Sequence, residues 1–102
     1  MEHTLKSRKS AGKSATSVAF GRALYSLRIE KDFSQEELSF RSDIDRSFLS
    51  QIERGEKEPC LGVIFKLSKA LETSPSVVFQ TVEQFLRNPE PPAARARNAR
   101  VR

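Results

Sequence analysis

Between Phe33 and Phe79 the chain sets two short helical patterns almost end to end, and that spacing limits the folds open to it. Ser34-Gln35-Glu36-Glu37-Leu38 opens the first pattern. Phe48-Leu49-Ser50-Gln51-Ile52-Glu53-Arg54-Gly55 closes the second on a glycine, the residue that most readily takes the left-handed conformation at a helix end. Only Ser42-Asp43-Ile44 separates them, so a tight turn is required, and Ile44 is expected to be buried there, pinning the angle between the two helices. Ser34 and Glu37 have the Ser–x–x–Glu spacing of a capping box, in which two orphan backbone N–H groups are satisfied reciprocally. Asp45 can cap the second helix. Leu49 and Ile52 then point inward, with Phe48 beside that stripe, while Arg46, Ser47, Ser50 and Gln51 lie on the opposite face. A helix used only for packing has little need of that polar set.

The flanking segments supply what such a pair must pack against. Ser17 to Lys31 reads as a helix capped by Ser17, with Val18, Phe20, Leu24 and Leu27 at helical spacing and Asp32-Phe33 closing it. The second helix runs from Ser34 to about Arg41 with Leu38 as its core anchor, and the third runs from Asp45 to Arg54. A charged connector, Glu56 to Pro59, leads to a strongly apolar fourth helix containing Leu61, Ile64, Phe65, Leu67, Ala70 and Leu71. Ser74-Pro75 places a cap before proline at the first helical position, where its missing N–H costs least, and the fifth helix runs to about Arg87. Asn88-Pro89 ends it. No strand pattern and no repeat is visible. The expected architecture is all-α: a compact five-helix domain at 17–88 between disordered basic segments at 1–16 and 89–102.

Charge places the basic excess outside that domain. Residues 1–16 carry four basic groups and one acid, residues 17–88 ten and eleven, and residues 89–102 four and one, which sums to the net +5. Any anionic partner of the domain must therefore be held by basic groups gathered on one face, not by overall attraction. The hydrophobic content of 37% is low for a globular chain and agrees with residues lying outside the core. One cysteine, Cys60, excludes an internal disulfide and a cysteine-rich metal site. No apolar run approaches the roughly 20 residues of a membrane span, and no secretory signal follows the basic N-terminus, so a cytoplasmic location is expected. Gly12-Lys13-Ser14 resembles the end of a phosphate-binding loop, but the glycine that motif requires five positions earlier is Ser7. His3, the only histidine, lies in the basic arm, and Cys60 has no histidine near it in sequence. No catalytic constellation, metal or cofactor is expected.

Two short helices joined by a tight turn present the second to the major groove of DNA in a helix-turn-helix. In order and spacing, Phe20 to Phe79 resembles the Cro/CI-type (XRE-like) helix-turn-helix domain of phage repressors, restriction–modification controller proteins and many bacterial regulators. The resemblance rests on Leu27-Arg28, Ser34-Gln35-Glu36-Glu37-Leu38, Ser50-Gln51-Ile52-Glu53-Arg54-Gly55, Pro59 and Leu67-x-Lys69-Ala70-Leu71. The chain departs from that pattern where Asp43 stands in place of a common turn glycine, Cys60 of a capping serine, Glu72 of a glycine after the fourth helix and Ser39 of a small alanine.

The resemblance implies site residues. Gln35 at the start of the second helix would donate to a phosphate; Arg46 and Ser47 would meet base edges; Gln51 and Ser50 would reach the groove from the same face; Arg54 and Lys57 would clamp phosphates. Phe48 would touch a thymine methyl or stay as a partial core residue. Arg28 and Glu53 match a buried ion pair that orients the recognition helix in several relatives. Val82, Phe85 and Leu86 on the fifth helix are expected either to form a homodimer seam, giving two reading heads for a palindromic operator, or to complete the monomer core. The basic segments either track phosphate or serve as solubilising tails. The function so implied is a sequence-specific transcriptional regulator of double-stranded DNA. The alternative is a protein-interaction module of the same fold, an antitoxin or adaptor whose partner docks on the fifth helix.

Overall fold

The computed structural model describes residues 13–89, so the expectations for residues 1–12 and 90–102 lie outside the described part. Five helices account for it: α1 (Ala15–Glu30), α2 (Gln35–Ser42), α3 (Arg46–Glu53), α4 (Leu61–Ala70) and α5 (Pro75–Arg87), with no strand among the described residues. α5 lies along α1, α3 packs on α1 and α2, and α4 bridges α2 and α5. The core is where they meet: Phe20, Ala23, Leu24 and Leu27 of α1, Leu38 of α2, Leu49 and Ile52 of α3, Leu67 and Leu71 at α4, and Val78 and Val82 of α5 are all buried. Ile44 is buried in the turn as its spacing predicts.

α1 starts two residues earlier than the sequence suggests. Ser14 is its cap, accepting from the Ser17 N–H at 3.0 Å, while Ser17 itself is buried in the first turn. Both serines satisfy the cap preference, and only the contact of Ser17 with the rest of the fold selects between them. The capping box of α2 is half formed. Ser34 Oγ accepts from the Glu37 N–H at 2.9 Å, but the Glu37 carboxylate pairs forward with Arg41 at 2.7 Å. An i,i+4 partner of opposite charge has drawn it away from the Ser34 backbone.

Four turns reverse the chain through left-handed residues, and only one of these is glycine. Gly55 takes φ 78° after α3, and its N–H and that of Glu56 reach back to the carbonyls of Ile52 and Gln51, a closed Schellman arrangement. Asp32, Asp43 and Glu72 take φ 65°, 61° and 57° in the equivalent places after α1, α2 and α4. At Asp43 and Glu72 the backbone thus adopts the conformation that glycine supplies in the resemblance, at about 1–2 kcal/mol of strain each and less for an aspartate. Cys60 makes no side-chain cap bond at α4, as its thiol leads one to expect.

Candidate nucleic-acid interface

α3 owes its position to two apolar residues and a polar lock. Leu49 and Ile52 are fully buried, which fixes the face that turns outward. Asp45 caps the helix, accepting from the N–H groups of Ser47 and Phe48 at 3.1 and 3.3 Å. Across the interior, Arg28 of α1 places Nε and Nη2 on the two Glu53 carboxylate oxygens at 2.6 and 3.0 Å. Its Nη1 donates to the Phe33 carbonyl at 2.7 Å. The pair is secluded, with side-chain exposures of 9% and 6%, and the Tyr25 ring lies 5.4 Å from the guanidinium carbon. The arrangement joins the end of α1, the entry to α2 and the end of α3. Gly21 completes the seat. A Cβ there would lie 2.5 Å from the backbone oxygens of both Ile52 and Glu53, so α1 and α3 touch main chain to side-chain-free backbone.

The outward face carries the residues singled out by pattern. Arg46 and Ser47 are exposed in the first turn, and Ser50 and Gln51 are half-buried one turn on. Lys57 is exposed in the connector. Among the described residues, the side chains of Arg46, Ser47, Gln51 and Lys57 make no hydrogen bond or ion pair, so their donors face solvent. Phe48 is partly buried against the core, in agreement with the packing alternative for it.

Gln35, Arg54 and Ser50 are differently engaged. Gln35 is half-buried at the first position of α2, and one of its amide N–H groups donates to Glu53 Oε1 at 3.0 Å. It is thus a fourth member of the buried lock, a partnership that sequence spacing could not indicate because 18 residues separate the two. Arg54, expected as a free phosphate clamp, is bound on its own protein. Its Nε and Nη2 donate to Glu56 at 2.9 and 3.1 Å, and Nη1 donates to Ser50 Oγ. Alternating charges in a connector carry no sequence signal for such a pair. Its electrostatic mark is mutual: the hydrogen bond from Arg54 holds the Glu56 carboxyl below its ordinary 4.5, while Glu56 raises Arg54. Because the carboxyl is depressed, the pair persists above the ordinary carboxylate range and is lost as the pH falls through the lowered value. A carbon-detected NMR titration of Glu56 is expected to give a midpoint below 4.5, moving upward in Arg54→Ala.

The fifth helix uses two of the three expected seam residues in the monomer core, the alternative left open for them. Val82 is buried and Phe85 is partly buried against the core, because both continue the Val78 stripe that faces α1. Of the three expected seam residues only Leu86 is exposed. The exposed apolar side chains lie elsewhere as well: Leu61 and Phe65 on α4, Phe79 on α5 and Phe40 on α2.

A sequence profile for the helix-turn-helix family HTH_3 matches residues 24–78, from the middle of α1 into α5. The chain belongs to this family, of the XRE type. It is 42% identical over 57 residues to the control protein C.BamHI of Bacillus amyloliquefaciens, across 55% of this chain and 70% of that one. Its fold is similar to that of the restriction-modification controller C.AhdI from Aeromonas hydrophila, with a TM-score of 0.62 and 42% identity, covering 64% of this chain and 98% of the other. It is also similar to the controller C.Esp1396I, solved as a tetramer in complex with its natural 35-base-pair operator, with a TM-score of 0.70, 26% identity and coverage of 74% and 100%. The family and these relatives are transcriptional regulators, not enzymes. Among the described residues of this helix-turn-helix protein, no helix is long and apolar enough to cross a membrane.

Proposed function

We propose that this helix-turn-helix protein is a cytoplasmic, sequence-specific regulator of transcription that lays α3 in the major groove of double-stranded DNA. The observation that carries the reading is the division of α3. Its back is sealed by Leu49 and Ile52, while Arg46, Ser47 and Gln51 keep their donors and acceptors unspent on the open side. Arg46 suits guanine O6 and N7, Gln51 suits adenine N6 and N7, and Ser47 and Ser50 suit either a base or a phosphate. Lys57 and the second amide N–H of Gln35 serve the sugar–phosphate backbone at the two ends of the motif, with Gln35 helped by the positive end of α2. The operator complex of C.Esp1396I supports the assignment by similarity.

In this reading two copies bind a palindrome. The proposed seam uses Leu86 together with Phe79, Leu61 and Phe65, which are exposed, in place of Val82 and Phe85, which the monomer core occupies. The basic segments at either end lie outside the reading domain and add phosphate contacts at most. Sedimentation at micromolar concentration is expected to show a species of twice 11.5 kDa, reverting to monomer in Phe65→Asp; a wild-type monomer at that concentration removes the homodimer. Selection of duplexes from a random pool tests the reading as a whole. A palindromic consensus is expected, and Arg46→Ala or Gln51→Ala should each lose roughly 1–3 kcal/mol at particular positions and relax the preference there. Equal retention of all sequences by the wild-type protein would refute it.

A further inference from the structure

The segment that follows α3 alternates in charge (Arg54, Glu56, Lys57, Glu58), and three of the four groups have partners. Glu58 accepts from the hydroxyls of Ser17 at 3.0 Å and Ser14 at 3.3 Å, at the N-terminus of α1. Gly55 is seated on the same helix, since a Cβ there would lie 3.1 Å from the Cα of Val18. The loop between these two anchors is short, and it carries the Glu56 carboxylate that grips Arg54 in a two-pronged pair. Lys57 makes no hydrogen bond or ion pair among the described residues.

We propose that Glu56 acts as a brake on sequence-independent DNA binding by neutralising Arg54 at the end of the recognition helix. The inference rests on the DNA-binding reading above and adds to it a residue that limits affinity. A phosphate approaching Arg54 meets a guanidinium with three of its five N–H donors already engaged. It also meets a carboxylate of its own sign. The loop anchors at Gly55 and Glu58 keep the backbone of Glu56 beside the end of α3. The pair is exposed on both sides, so it is weak enough to open, but a phosphate that takes Arg54 must displace both Glu56 bonds. Contacts to phosphate carry no sequence information, so the brake acts equally on operator and unrelated DNA.

The test is equilibrium binding of wild-type protein, Glu56→Gln, Arg54→Ala and the double variant to two probes across a salt series. One probe is a duplex recovered by the selection described above, and the other is a mixed-sequence duplex of equal length. Glu56→Gln is expected to bind both probes roughly three- to tenfold more tightly at low salt, with the slope of log affinity against log salt steeper by about 0.9, the signature of one added phosphate contact. In the Arg54→Ala background that gain in slope should vanish. Because Glu56 is exposed, the variant should melt with the wild type, which circular dichroism checks. Unchanged or weaker binding by Glu56→Gln at an unchanged slope overturns the brake while leaving the DNA-binding reading intact. A gain confined to the selected duplex also overturns it, since Glu56 would then act on base reading. Absence of any wild-type binding sinks the DNA-binding reading and the brake together.

Discussion

Glu53→Ala is expected to lower stability by about 3–5 kcal/mol, because it strands the Arg28 guanidinium in the interior without its carboxylate. The size follows from burial. Arg28 and Glu53 side chains are 9% and 6% exposed, so water cannot replace the lost partner as it does at a surface pair. The Phe33 carbonyl would remain on Nη1, but Nε and Nη2 would lose their acceptors, and Gln35 would lose its bond to Glu53. The companion result is more diagnostic. Arg28→Met combined with Glu53→Leu removes both charges at similar volume, and such replacements of a whole buried pair are often neutral or stabilising. Denaturant unfolding of the single and double variants gives the comparison. A double variant as stable as wild type that binds DNA less well assigns the pair to orientation of α3. A Glu53→Ala protein that melts with the wild type excludes a structural role altogether.

The second large effect is expected at Gly21, where alanine should cost about 3 kcal/mol, at the upper end of what overpacking usually costs. A helix interior ordinarily gains from this exchange, by roughly 0.5–1 kcal/mol. Here the added methyl would meet the carbonyl oxygens of Ile52 and Glu53 at 2.5 Å, and these are main-chain atoms of the last turn of α3. No rotamer can relieve that contact. α3 must move away from α1, which would also pull Glu53 from Arg28. Thermal melts of Gly21→Ala should therefore show lost stability, and any folded fraction should bind DNA with lower affinity even though no side chain of the proposed DNA-binding face has changed. By contrast Gly62→Ala, where nothing lies within 4 Å of the added carbon, should gain stability within the ordinary helix range.

The outward face of α3, which we propose meets DNA, was legible as an exposed polar face from local pattern because it needs only a helical period and a cap. Leu49 and Ile52 fix which side is buried, and from that Arg46, Ser47, Ser50 and Gln51 follow by geometry. Of the left-handed positions, Asp43 and Glu72 were marked only by the resemblance, as places where glycine is common, and Asp32 was not marked at all. What misled was the meaning of single side chains with more than one possible partner. Glu37 could cap Ser34 or pair with Arg41. Ser14 and Ser17 could each begin α1. Arg54 could face a phosphate or Glu56. Val82 and Phe85 could meet a second copy or α1. Glu37 and Arg54 each settle on a near neighbour, Arg41 and Glu56, whereas for Ser17, Val82 and Phe85 neighbours distant in sequence decide.

By itself, then, the order of residues determined five helices, the caps of α2, α3 and α5, and the amphipathic division of α3, because these depend on interactions within a few positions. Tertiary structure alone decided the rest: that Gly21 lets α1 and α3 meet backbone to backbone, that Gln35 joins Arg28 and Glu53, and that Glu56 holds Arg54. The first two form between segments that meet only after the hydrophobic core has closed; the third is an exposed contact two residues apart, chosen by how the turn at Gly55 brings its two ends together.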